Sequence, residues 1–361
     1  MRKETKRQIL QKSDELLNYL DSIKCGDTVR FSEGEVREIL KKEEKGAKEN
    51  YDNAIRKFLE RNNETKGANV KRFIVYWGYP GAGKSVMTQK LIERFAKDED
   101  CLPFNIIDKD EHRSLFPNLF EYLKGEHIDE CERFAGVTID YVRKILDLSL
   151  EKGNRSVLSV GSMGAGVEFK DNAQKAIEYG YKPCAVYMAV NPDIAYLSNI
   201  YRSAVLYDKI IFKNQQLYPR LVSNEYFTRV VEQLPRMIKN IDRFQKENAE
   251  NVDLLVVNRA NELVYDSRGL HDIDVLSVIE REEEGNNLRI DDIITINKQL
   301  HKISESMKYR YENGIYVPAR SEVDVAKVAV SNIKELVSRQ RDDNANEKAR
   351  IWLDMASGFG M

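Results

Sequence analysis

The sequence predicts an α/β fold of three layers, with a mostly parallel sheet in the middle and helical segments at both ends. Three observations carry this. Short, nearly continuous apolar runs at 73–77, 104–107, 156–160, 184–190 and 254–257 alternate with helical stretches, the pattern of strands covered on both faces. A glycine-rich turn, Gly78-Tyr79-Pro80-Gly81-Ala82-Gly83-Lys84-Ser85, joins the first run to an amphipathic helix, as in a P-loop NTPase-type core. Before residue 67 and beyond about 270 the chain reads as charged helices.

Each part follows in order. At 361 residues, 42% of them hydrophobic, the chain has room for two folding units. Residues 1–66 are expected to be a helical segment. Ile9, Leu10, Leu16, Leu17 and Leu20 recur at helical spacing until Gly26 interrupts. Ser32 and Glu35 form a capping box that opens a second helix through Val36, Ile39 and Leu40. A third apolar set (Tyr51, Ile55, Phe58 and Leu59) ends at the polar run 62–67, which reads as a linker. Residues 67–270 carry the sheet. Residues 271–361 form a helical extension, interrupted by a strand or loop at 314–318 and ending in a glycine-bearing tail. The acidic run 280–284 reads as a solvated helix face.

Composition narrows the function. Basic and acidic residues number 57 and 59, for a net charge of −2. That balance gives no global pull toward nucleic acid or an anionic membrane. Cys25, Cys101, Cys131 and Cys184 lack metal-binding spacing, which predicts reduced thiols in a cytoplasmic protein. No leader-like start or 18-residue apolar stretch occurs, so neither export nor membrane spanning is expected.

The glycine-rich turn carries the chemistry. Its glycines let successive N–H groups curl around a phosphate, and the following helix N-terminus adds partial positive charge. Lys84 would reach the β- and γ-phosphates of ATP or GTP, and the Ser85 hydroxyl would bind Mg2+. At the end of the second strand, Asp108 and Asp110 stand where ligands of open α/β sheets bind. A carboxylate there could accept a proton from an attacking hydroxyl, support Mg2+, or merely cap the next helix. Arg202 and Arg220 follow the fourth strand, and a guanidinium there could grip phosphate oxygens.

From the P-loop to about residue 265 the chain resembles the zeta-toxin family of P-loop kinases from toxin–antitoxin systems. The resemblance rests on the glycine-rich turn, on Ile107-Asp108-Lys109-Asp110, and on Gly180-Tyr181 leading into Val186–Val190. It continues through Tyr196-Leu197, Ile200-Tyr201-Arg202, Arg220, Val230–Pro235, and Val257-Asn258-Arg259 before Leu263-Val264-Tyr265. It implies transfer of a nucleoside triphosphate's γ-phosphate to a small-molecule acceptor, UDP-N-acetylglucosamine in the family. It also implies Asp110 as general base, Lys84, Arg202 and Arg220 as phosphate clamps, and Ser85 with Asp108 at Mg2+. Gly78 through Val86, with Asn258 and Arg259, would contact the nucleotide. Family members are silenced by a small helical antitoxin, so a protein partner is implied, in trans or from residues 1–66.

The acceptor side departs from the family. Where the family has an acid, then Gly-Thr and an arginine, this chain reads Val160-Gly161-Ser162-Met163-Gly164. Ser162 can stand for the threonine, and another family acid falls near Arg143-Lys144. Asp110, Ser162 and Lys144 are therefore the expected acceptor contacts, in a pocket that has been rebuilt. Two other readings stay open, a polynucleotide or nucleotide kinase and a nucleotide-gated assembly protein.

Overall fold

The computed structural model describes residues 1, 3–26, 31–64, 67–108, 131–161, 166–213, 221–269, 273–285, 288–314 and 320–340. Six strands form one sheet: β1 (Arg72–Trp77), β2 (Phe104–Asp108), β3 (Ser156–Val160), β4 (Lys182–Ala189), β5 (Asp253–Asn258) and β6 (Leu263–Asp266). Their order is β2-β3-β1-β4-β5-β6. The first five run parallel, and β6 returns antiparallel along β5. β1, β3 and β5 are buried at every residue. Aliphatic and aromatic side chains on both faces leave these strands no solvent-facing alternative.

Between the strands lie α3 (Lys84–Asp98), α4 (Cys131–Lys152), α5 (Phe169–Glu178), α6 (Pro192–Lys213) and α7 (Asn224–Glu247). α4 packs on β2 and β3, α5 on β1 and β4, and α7 on β5. Phe227, Val230, Leu234, Ile238 and Ile241 give α7 its buried stripe at helical spacing. At the amino edge of the sheet, the buried Arg72 guanidinium donates to Asp253 Oδ2 at 2.6 Å and to Glu99 Oε2 at 2.5 Å. This ion cluster ties β1, β5 and the end of α3 together.

The flanks join each other. α1 (Lys3–Ser22) packs mainly on α10 (Arg320–Ser338) and α9 (Ile290–Glu312), and both of those lie on α6. Ile9, Leu16 and Leu20 of α1 are buried. Lys6 Nζ donates to Gln340 O and Lys12 Nζ to Asn297 Oδ1, each at 2.6 Å. A buried Arg310–Glu322 pair at 3.3 Å links α9 to α10. α8 (Val275–Glu283) packs on α7, β4 and β6. None of the described helices is long and apolar enough to cross a membrane.

Three local expectations change. The second helix and the third apolar set of the N-terminal segment form one helix, α2 (Glu33–Glu64), which continues into the run expected to be a linker. Its buried residues Val36, Ile39, Glu43 and Ala47 keep helical spacing through the charged stretch. The capping box forms as expected, with Ser32 N donating to Glu35 Oε2 at 2.7 Å. β6 is an added strand where the sequence showed only a motif. Residues 315–318 of the expected interruption, and the tail, lie outside the described residues.

Candidate functional site

The glycine-rich turn sits where the pattern puts it, between β1 and α3 at the carboxyl edge of the sheet. Its glycines answer to contacts as well as to dihedral angles. Gly81 has φ +83°, and a Cβ there would stand 2.1 Å from Ala195 O and 2.8 Å from Asn199 N. Only a residue without a side chain lets the turn press this closely on the first turns of α6. Gly83, at φ +101°, opens α3 in the left-handed region, and no side chain caps that helix start. Its outward-facing dipole suits an anion.

Lys84 Nζ donates to the carbonyls of Gly78 at 3.0 Å and Tyr79 at 2.8 Å. The ammonium thus folds back over the turn it would leave for a phosphate. Ser85 Oγ donates to Asp108 Oδ2 at 3.2 Å. This contact joins the P-loop to the last residue of β2 across the intervening β3. A hydroxyl and a carboxylate at that spacing are hard oxygen donors. They fit Mg2+, whose remaining positions are normally filled by phosphate oxygens and water. Val86 is 77% exposed on the first turn of α3, beside the mouth of the turn.

Arg202 lies on α6, where its Nη2 donates to Asn199 Oδ1 at 3.1 Å. Asn199 is the residue whose main chain abuts Gly81, so Arg202 stands one helical turn from the P-loop contact. Lys144 is exposed on α4, with its ammonium 5.6 Å from the centre of the Tyr141 ring. The neighbouring Arg143 pairs with Glu168 at 2.7 Å. Asp110, Ser162 and Arg220 lie outside the described residues.

Asn258 and Arg259 reach the same sheet edge by a different route. Asn258 is buried and serves its own turn. Its Oδ1 accepts from Ala260 N and Glu262 N, both at 3.0 Å, and its Nδ2 donates to Glu262 Oε2 at 2.7 Å. Those bonds close the β5–β6 connection. Arg259 donates through Nη2 to Ser198 Oγ at 3.3 Å and stands 3.9 Å from Asp292. Burial lowers its pKa from the usual arginine value. Both residues line a cavity of about 320 Å³ with Val190, Arg281, Arg289 and Asp292. The cavity lies at the ends of β4 and β5, and the helices of the C-terminal extension wall it on one side.

One residue that holds the phosphate turn was missed by sequence reasoning. Within the acidic run 280–284, read as solvated, Glu283 turns inward at the end of α8. Its Oε1 accepts the Tyr187 hydroxyl at 2.6 Å, and its Oε2 accepts that of Tyr79, inside the P-loop, at 2.9 Å. The residue keeps some exposure at its helix end. Its carboxylate, however, is deep enough that burial pushes the pKa up to about 7. A solvated position would leave Glu283 at the ordinary carboxylate value.

With this geometry in view, comparisons with known proteins add three findings. The family model described as Zeta toxin matches residues 55–269, more than half of the chain. Among solved structures, a similar chain comes from the PezAT chromosomal toxin–antitoxin system of the human pathogen Streptococcus pneumoniae. It is 19% identical, with a TM-score of 0.54, covering 72% of this chain and 97% of that one. A chain of the AvrRxo1-ORF1:AvrRxo1-ORF2 complex with ATP is 13% identical, with a TM-score of 0.44, covering 86% of this chain and 96% of that one. The first likeness speaks for the fold alone, and the second is too distant to bear on fold or function. No curated protein sequence matches the chain.

Proposed function

Because the chain belongs to the zeta toxin family, we propose that it is a P-loop phosphotransferase that moves the γ-phosphate of ATP or GTP to a hydroxyl of a small molecule. The contact that supports this most directly is Ser85 Oγ to Asp108 Oδ2 at 3.2 Å. It brings the end of the phosphate turn to the end of the strand that leads to Asp110.

In this reading Lys84 leaves the Gly78 and Tyr79 carbonyls and takes up β- and γ-phosphate oxygens. Successive amides of the turn and the start of α3 hold the rest of the triphosphate. Ser85 and Asp108 would hold Mg2+, which neutralises phosphate charge when bound. Asp110 accepts the proton of the attacking hydroxyl. Arg202, steadied by Asn199, and Arg220 counter the charge on the transferred group. Catalysis comes from positioning and charge neutralisation, since in-line transfer asks little covalent chemistry of the protein. Asn258 acts by shaping the turn that presents Arg259, and Val86 borders the nucleotide.

The acceptor is a small-molecule hydroxyl, and a sugar nucleotide such as UDP-N-acetylglucosamine is the first candidate. Val160 is 3% exposed and brings no carboxylate to the position where the family has one. Ser162, Lys144 and Asp110 therefore carry acceptor recognition. An antitoxin-like protein partner belongs to this reading as well.

Transfer of labelled γ-phosphate from ATP or GTP tests the proposal, with UDP-N-acetylglucosamine, nucleotides and RNA or DNA ends as acceptors. The wild type should label a small molecule. Lys84→Ala should abolish transfer. Asp110→Asn should keep nucleotide binding and lower turnover by orders of magnitude. Label on polynucleotide ends alone would select the polynucleotide-kinase reading. Triphosphate hydrolysis that needs a protein partner and labels no acceptor would select the assembly reading.

A further inference from the structure

We propose that Glu283 is a positioning residue of the phosphate turn: it holds Tyr79 from a helix beyond the family-matched residues and makes the C-terminal extension part of the nucleotide site. This rests on the phosphotransfer reading above and goes beyond it.

Tyr79 is gripped from two sides. Its main-chain carbonyl accepts Lys84 Nζ at 2.8 Å, and its hydroxyl donates to Glu283 Oε2 at 2.9 Å. Its ring packs between Tyr187, at 6.5 Å and nearly perpendicular, and Phe227, at 5.8 Å. The second residue of the phosphate turn is therefore fixed in position and in rotation.

Glu283 is itself anchored to the core. Its other carboxylate oxygen accepts from Tyr187 on β4, and its main-chain carbonyl accepts Asn191 Nδ2 at 2.7 Å. Asn191 Oδ1 in turn accepts from Asp193 N and Ile194 N at the start of α6. The first turns of that helix carry the atoms pressed against Gly81. One residue of α8 thus links the phosphate turn and the strand beside it through its side chain, and the helix that backs the turn through its main-chain carbonyl.

The chemistry of the anchor argues against simple packing. Among the described residues, the carboxylate's hydrogen-bond partners are two neutral hydroxyls, and the charge that acts on it is the like charge of Glu280. Placing an acid there costs more than placing an apolar side chain of similar volume. The return is a strong, directional hold on a loop. When a phosphate draws Lys84 off the Tyr79 carbonyl, the turn loses its inner brace, and the outer one from Glu283 remains. The amides keep their curl, and the entropy of ordering them is lost before the nucleotide arrives.

A double-mutant cycle on the full chain tests this, with ATP and Mg2+ affinity measured by calorimetry for wild type, Tyr79→Phe, Glu283→Ala and the double variant. Each single change should weaken ATP about tenfold, the loss of one charge-assisted hydrogen bond expressed as an equilibrium constant. The double variant should also be about tenfold weaker, because both changes remove one interaction. KM for the acceptor should not move. An additive loss of about a hundredfold, or wild-type affinity in either single variant, overturns the proposal. If Glu283→Ala does not fold, the same cycle is run with Glu283→Met, which keeps the volume and removes both carboxylate oxygens, and is read by the same criteria. A wild type that binds no ATP overturns the phosphotransfer reading itself, whereas a binding wild type with an additive cycle overturns only the role of Glu283.

Discussion

Replacing Glu283 by glutamine should make the protein relatively more stable at pH 8 than at pH 5. The carboxyl group, ordinarily near 4.5, is raised to about 7 by burial. Between those values the folded chain holds a proton that the unfolded chain has released, so wild-type stability falls as pH rises through the window. Above pH 7 the full loss is present. At about 1.4 kcal/mol for each pH unit of separation, the difference amounts to about 3 kcal/mol. The substituted amide would not titrate, and its oxygen can still accept from one tyrosine hydroxyl while its NH2 group meets the other. Denaturant unfolding of both proteins at steps from pH 5 to pH 8, at fixed ionic strength, reads the effect directly. The stability of the glutamine variant relative to wild type should climb with pH by about 3 kcal/mol. A flat difference, or one that falls with pH, would refute the claim that burial raises the pKa of this carboxyl group.

Three other outcomes are expected. Arg72→Ala should destabilise the fold by about 3–5 kcal/mol, because it removes the close cation of buried Asp253 and leaves it the more distant Lys182 at 3.9 Å; thermal or denaturant unfolding measures this. Gly81→Ala should abolish nucleotide binding and cost about 1–3 kcal/mol of stability, since its methyl group would meet the Ala195 carbonyl and its backbone is left-handed; ATP titration and melting together check both halves. Ser85→Ala should weaken ATP about tenfold in Mg2+ by removing one oxygen ligand, and have little effect in EDTA; equal losses in both buffers would count against a metal at Ser85 and Asp108.

Much of the sheet was legible because its cause is local. Phe73, Ile74, Val75 and Tyr76 must be covered on both faces wherever they lie, and a glycine turn followed by a helix leaves few alternatives. The continuity of α2 was hidden because two of its inward positions are Glu43 and Ala47, which carry no apolar signal. β6 was hidden because a strand of 4 residues, with Tyr265 alone fully buried among them, barely registers in the sequence. Glu283 was the least legible. Nothing separates it from Glu282 and Glu284 until the fold brings Tyr79 to it from 204 residues away. The positions of Lys84, Ser85 and Asp108 followed from the motif and the strand end. The tie of Asn258 to its own turn did not, since a family match says where a residue stands and not whether its hydrogen bonds are already committed.

The docking of α1 on α9 and α10 also constrains the order of events during synthesis. The apolar stripe of Ile9, Leu16 and Leu20 leaves the ribosome long before its receiving surface, which is not complete until residues near 338 have been made. At about 5–20 residues per second this interval is on the order of half a minute. Throughout it the nascent chain carries this amphipathic helix uncovered. The sheet and phosphate turn can assemble in the meantime, but the anchor at residue 283 and the closing bundle arrive only with residues 283–338.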